Sequence, residues 1–179
     1  MNLYLVKPDI TYFEQYNEMM AEWCADGGSI SPWFLGDPFA SIEEFAEFVR
    51  KLDNWEKGIA DKSYAPSSSC FVMNEEGRMI GATSLRHYLT MEGYHSWGHI
   101  GYGVRPSERR KGYATRMLQM MLEQAKARNI YKVLLAAYEK NIGSWKTIEK
   151  CGGILENIVF EEGDDREIRR YWIDLLKGE

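Results

Sequence analysis

The stretch VRPSERRKGYAT, Val104 to Thr115, carries four basic residues, one just before a proline and three, with a glycine, between that proline and a run with helical periodicity. A helix N-terminus is the positive end of the backbone dipole, so cations there work against the helix. The same position presents several unpaired backbone N–H groups, and a glycine beside them lets a ligand approach the main chain. Arg105, Arg109, Arg110 and Lys111 are therefore badly placed for helix stability and well placed to pair with phosphate charges. A solvated charged turn is the plainer alternative. No GxxxxGK[ST] pattern is present, which disfavours a triphosphate loop, and no GxGxxG follows a strand, which disfavours a dinucleotide fold.

Outward from this stretch, Ala114, Met117, Leu118, Met121, Leu122 and Ala125 hold one helical face, with Asn129 as its C-cap. Upstream, SSCFVM, RMIGATSLRHYL and WGHIGYGV are separated by turns at NEEG and MEGYHS and predict three antiparallel strands over 69–104. Downstream, YKVLLAAY at 131–138 is an apolar strand. Strand, helix and strand in that order predict a right-handed βαβ unit with parallel strands over 98–138. SWKTIEKC reads as a short helix closed by Gly152 and Gly153, and ILENIVFEE with REIRRYWIDLL as a last antiparallel hairpin. At the front, LYLVK is a short strand, and Thr11 with Glu14 and Ser41 with Glu44 form capping boxes opening two helices. Between those helices, GGSISPWFLGDPF is rich in breakers yet carries Trp33, Phe34 and Phe39. It either walls a pocket or folds onto the core.

The 179 residues suffice for a single domain, 1–179, with a core that needs no cross-links. The formal charge of −5 argues against a general nucleic-acid binder. Cys24, Cys70 and Cys151 are odd in number and widely scattered. They suit a reducing cytoplasm and read as small buried hydrophobes, not as a disulfide framework or a zinc site. The start, MNLYLVKPD, has no basic segment leading into a long apolar run, and nowhere do about twenty apolar residues run uninterrupted. The expectation is a cytoplasmic protein with no membrane or nucleic-acid partner and no metal. His95 and His99 have the spacing of a zinc helix, but on a strand four residues span roughly 13 Å, too far to share an ion.

RRKGYA, Arg109 to Ala114, resembles the signature of the GNAT superfamily of acyl-CoA-dependent N-acyltransferases: Gln or Arg, two residues, Gly, one residue, then Gly or Ala. The strand ending in Val104, the strand after the helix, and the N-x-x-S of Asn141 and Ser144 followed by EK-x-G are similar to the same family. So is the order of elements along the whole chain. The resemblance implies an α/β (α+β) GNAT fold: a mixed, mostly antiparallel sheet of about seven strands, splayed between strands 4 and 5 and flanked by about four helices. It implies acetyl-CoA as cosubstrate. The backbone amides of Arg110, Lys111, Gly112, Tyr113, Ala114 and Thr115 would cradle the pyrophosphate, with Arg109, Arg110 and Lys111 nearest its charges and the Thr115 hydroxyl as an added donor. Pantetheine would lie in the splay and pair with backbone near Tyr102 and Val104, and Asn141 and Ser144 would touch its thiol end. Gly101 and Gly103 either leave room for that ligand or mark a bulge. Asn141 and Ser144 also suit capping of the short helix. Family members are often dimers, so the resemblance makes a homodimer an option.

The resemblance further implies that a primary amine, on a small molecule or a peptide, attacks the thioester directly in a ternary complex. An alkylammonium, with a pKa of about 10.4, must first lose a proton. Many relatives carry a Glu for this on the strand before the motif. WGHIGYGV has none, and His99 is the only titratable base in it, either as that base or as a hydrogen-bonded structural residue. His99 and His87 lie symmetrically about Gly93, which predicts cross-strand neighbours in a regular hairpin, each keeping the other neutral. Many relatives also protonate the leaving thiolate with a Tyr in the short helix, where this chain has Ile148. Tyr138, Tyr102 and Ser144 are the substitutes, or solvent suffices. The acceptor is expected between the 27–40 loop, the strands of 84–102 and the last hairpin. Trp33, Phe34, Trp97, Glu161, Glu162, Asp164 and Asp165 are its candidate lining. Two other readings stand beside the enzyme: a non-catalytic acyl-CoA sensor, motivated by the missing Glu and Tyr, and an adaptor using the basic turn on a phosphorylated partner.

Overall fold

Strands and helices follow one another as the sequence predicts, but the strands assemble into two sheets. The computed structural model describes residues 2–59, 64–160 and 166–176. The elements are β1 (Leu3–Val6), α1 (Phe13–Asp26), α2 (Ile42–Glu56), β2 (Ser67–Asn74), β3 (Met79–Arg86), β4 (Ile100–Val104), α3 (Tyr113–Ala127), β5 (Lys132–Tyr138), α4 (Ile142–Lys150), β6 (Ile154–Phe160) and β7 (Glu167–Asp174). One sheet has the order β1-β2-β3-β4 and the other β5-β7-β6, each antiparallel throughout.

The parallel pairing predicted for 98–138 does not form. Among the described residues, β5 is met just ahead of β4, by an isolated bridge between Gly98 and Leu135 and by the His99 N–H donating to the Leu134 carbonyl at 2.7 Å. Gly98 takes φ +67°, and a Cβ on it would stand 2.5 Å from the Leu134 carbonyl oxygen, so only glycine allows this approach. From there β4 joins β3 alone, and a V opens between the two sheets. The segment before β4 also differs from the predicted hairpin: Gly93–Trp97 wind into a π-helical turn, and the strand begins only at Ile100.

Alternation along β2 and β3 splits the core in two. Phe71, Met73, Met79 and Ala82 face α1 and α2, where Tyr16 stands with its ring centroid 5.2 Å from Phe45 and 5.9 Å from Phe71. Val72 and Ile80 face α3, against Met117 and Met120. The same helix places Leu118, Met121, Leu122 and Ala125 over Val133, Leu135, Ala137 and Tyr171, so α3 ties the two sheets together behind the V. Ser41 opens α2 as expected, accepting from the Glu44 N–H at 3.3 Å. Ahead of α1, Asp9 caps a 3-10 turn over Ile10–Tyr12 by accepting from the N–H and hydroxyl of Thr11, and α1 itself starts after Tyr12 with no side-chain cap, so Thr11 does not open the helix as expected. Cys24 is exposed, contrary to its reading as a buried hydrophobe, while Cys70 and Cys151 are partly buried. No helix among the described residues is long and apolar enough to cross a membrane.

Candidate active site

Hydrogen bonding across β3–β4 determines which groups of β4 face the V. Arg86 N–H donates to His99 O, and Arg105 N–H to Ile80 O. In an antiparallel pair bonded positions alternate, so the N–H groups of Tyr102 and Val104 turn away from β3 and into the gap. Gly101 and Gly103 do not leave a slot for a ligand. A Cβ at Gly101 would stand 3.0 Å from Pro32, and one at Gly103 would overlap the Ser31 carbonyl. Ser31 Oγ then donates to Tyr102 O at 3.0 Å, so the chain's own 27–40 loop fills that space.

The basic stretch divides into three engaged cations and one that is not. Arg105 is fully buried, donating to Met79 O and pairing with Glu22 and Glu18, so it is a core residue and not a phosphate partner. Arg109 pairs with Asp26 at 2.7 Å, and Lys111 with Glu108 at 2.9 Å. The signal for this lay on α1, where Glu18, Glu22 and Asp26 recur every fourth residue and form one acidic stripe facing the stretch. Arg110 is exposed, has no hydrogen bond or ion pair among the described residues, and sits at φ 64°, a conformation that strains a side chain larger than glycine. Gly112 follows at φ 83° and opens α3 without a side-chain cap. Left-handed turns of this kind gather successive N–H groups into a concave anion site. The amides from Arg110 to Thr115 find no acceptor among the described residues.

At the apex of the V, His99 is buried, and its Nδ1 accepts from the Leu134 N–H at 3.0 Å. This ring nitrogen replaces a ladder carbonyl that the departing strand no longer offers. With Nδ1 accepting, the neutral ring carries its proton on Nε2. Burial holds its pKa down to about 4, and the Arg86 cation acts the same way. His87 is not its neighbour. The β3–β4 register sets Arg86 opposite His99, and one residue of slip in a strand moves a side chain to the other face. His87 instead meets Ser68 Oγ at 2.9 Å, in a network with Glu56 and Arg128.

Tyr102 and Ser144 come together across the V, their hydroxyls 3.2 Å apart, with the phenol also reaching Ser144 O at 3.2 Å. Burial pushes the Tyr102 pKa up to about 12, so the phenol stays protonated at neutral pH. Asn141 caps α4, its Oδ1 accepting from the Ser144 N–H at 3.2 Å. Tyr138 lies at the end of β5 under the Arg166 guanidinium, 4.4 Å from the ring centroid. Ile148 is fully buried in the core.

A cavity of about 140 Å³ adjoins the apex, lined by Trp33, Trp55, Tyr64, Ala65, Ser67, Arg86, Thr90 and Trp97. Trp33 and Trp97 line this cavity, whereas Phe34 is buried in the core, so the 27–40 loop both walls a pocket and packs inward. Glu161, Glu162, Asp164 and Asp165 lie outside the described residues. Sequence reading missed Arg86, Trp55 and Ser67, which sit at element ends, and Tyr64, which lies between α2 and β2, all places where periodicity carries no signal.

The sequence model of the Acetyltransferase (GNAT) family matches residues 29–153, more than half of the chain and all of the V. The chain belongs to this family. It is 30% identical over 146 residues to the uncharacterized N-acetyltransferase YjdG of Bacillus subtilis (strain 168), covering 81% of this chain and 76% of that protein. Its fold is similar to the Vibrio cholerae spermidine N-acetyltransferase solved with CoA and spermine, with TM-score 0.66, 20% identity, and 98% and 96% of the two chains covered. It is also similar to the microcin C7 self-immunity acetyltransferase MccE solved with acetyl-CoA and AMP, with TM-score 0.68, 15% identity, and 96% and 92% covered. The splayed arrangement expected from the resemblance is thus the GNAT fold, and the protein is an acyltransferase of that family.

Proposed function

We propose that the protein transfers an acetyl group from acetyl-CoA to the primary amine of a small molecule or peptide, by direct attack in a ternary complex. The observation that carries this reading is the uncapped N-terminus of α3, where Arg110 and Gly112 curl the loop and Arg110 has no counter-ion among the described residues. That set of donors fits a pyrophosphate. The CoA and acetyl-CoA held by the two similar solved enzymes support it. The amides from Arg110 to Thr115 would hold the phosphates, and the outward N–H groups of Tyr102 and Val104 would hold pantetheine. Arg109 and Lys111, paired to acids, shape the loop more than they bind. Scattered unpaired cysteines suit a cytoplasmic setting.

Acetyl-CoA supplies an activated thioester; the chain's residues orient it and manage protons. Tyr102, protonated and hydrogen-bonded to Ser144 in the V, is assigned as donor to the leaving sulfur. His99 is assigned a positioning role. Accepting the amine's proton on Nδ1 would break its bond to Leu134, and Nε2 already carries a proton, so that proton passes to water.

Thiol release with acetyl-CoA against a panel of primary amines tests this reading. Turnover with one amine class supports it; clear CoA binding with no turnover on any amine would favour the sensor reading. In the same assay Arg110→Glu is expected to raise the KM for acetyl-CoA about tenfold by placing a repelling charge at the phosphates, with kcat little changed.

A further inference from the structure

We infer that the acceptor is an amine built on a single aromatic ring and carrying an acidic group, which docks in the tryptophan-lined cavity with its acid on Arg86. The inference rests on the acetyl-transfer reading for the amine, but not for the ring or the acid. The volume accommodates a ring: about 140 Å³ is close to the ~150 Å³ of an apolar cavity that takes up benzene, so one six-membered ring fits. The walls are aromatic, with Trp33 and Trp55 edge to face at 4.6 Å and Tyr64 edge to face with Trp55 at 6.2 Å. Such walls suit either a flat ring or a cation.

Arg86 chooses between them. Its guanidinium lies 5.4 Å from the Trp97 ring centroid, and Nη1 donates to Gly98 O at 3.1 Å. Among the described residues no carboxylate pairs with it, and none lines the cavity. A partly buried cation without a counter-charge repels a polyamine and is stabilised by a ligand anion. Ser67 adds an independent sign of a ligand. It lines the same cavity, is 1% exposed, and its hydroxyl has no hydrogen-bond partner among the described residues. A buried hydroxyl left unpaired is costly, and a carboxylate or phosphate oxygen would satisfy it. The position also fits transfer, because Arg86 stands opposite His99 at the apex of the V.

Calorimetric titration without acetyl-CoA tests this apart from catalysis. The probes are L-phenylalanine against phenethylamine, 4-aminobenzoate against aniline, and spermidine alone. At least one acid-bearing probe is expected to bind about tenfold tighter than its carboxylate-free partner, and Arg86→Met is expected to erase that preference. If neither pair shows the preference, if it survives Arg86→Met, or if spermidine binds tightest, the inference is overturned. Should Arg86→Met fail to fold, Arg86→Lys keeps the charge and stem but not the bidentate fork. It must weaken the acid-bearing probe at least about threefold and spare its partner, and equal loss on both overturns the inference. A probe that binds as expected yet is never acetylated would count against the acetyl-transfer reading alone.

Discussion

Arg105→Ala is expected to destabilise the protein by about 3 kcal/mol at pH 7. Arg105 is fully buried and is the shared partner of Glu22, Glu18 and the Met79 carbonyl, so truncation strands groups on α1 and β3 at once. Glu18 is largely exposed and contributes little, and Ser107 still donates to Glu22, which puts the loss at the low end for a broken buried pair. Titration of Glu22 reports on the same pair, with Ser107 sharing in it. Burial pushes its carboxyl up, but hydrogen bonds from Arg105 and Ser107 outweigh that and bring it from 4.5 down to about 2. A fall of that size is linked to at most roughly 3 kcal/mol of stability, of which Arg105 supplies a part and from which solvent screening at this part-exposed carboxylate subtracts. Because the folded value lies below the unfolded one, this stability is complete above about pH 4.5 and is lost as the pH falls towards 2. Denaturant unfolding of wild type and variant should therefore differ most at pH 7, still differ at pH 3, and converge only as the pH reaches 2. A gap that stays constant with pH would mean that Glu22 is not the group released.

Tyr102→Phe is expected to lower kcat about tenfold to a hundredfold and leave the KM for acetyl-CoA nearly unchanged. The substitution removes one oxygen, the one that meets Ser144 across the V. The effect belongs at the low end for general acid catalysis, because a thiolate leaves with little help. A structural role for the phenol would slow every donor alike. Proton donation predicts instead that the defect shrinks with an acetyl aryl thioester, whose thiolate is a better leaving group. An equal defect on both donors would return Tyr102 to a purely structural place.

Much of this was legible because the relevant signals are local. The apolar face of α3, the capping of α2 by Ser41 and the three strands up to Val104 follow from spacing that tertiary contacts reinforce. What escaped was non-local. The partner of Arg105 lies on α1, and a cation at a helix start reads as ligand-binding until the acidic stripe of Glu18, Glu22 and Asp26 is set beside it. The pairing of His99 with Arg86 in place of His87 depends on the π-helical turn at Gly93–Trp97, which shifts the register by one residue, and no hydrophobic alternation marks it. Gly101 and Gly103 offer room for a ligand when the strand is considered alone, but Ser31 and Pro32 of the same chain, about seventy residues away in sequence, take that room. The cavity brings together residues from α2, β2, β3 and three connecting segments, so no single segment carries its pattern.

Acetyl-CoA binding at the start of α3 is the central claim, and amide chemical shifts recorded during a CoA titration address it residue by residue. The largest shifts are expected at Lys111 to Thr115, with smaller ones at Tyr102 and Val104, and Arg110→Glu should weaken the titration without moving its location. Binding that leaves the amides of 110–115 unshifted while perturbing another surface would contradict the account.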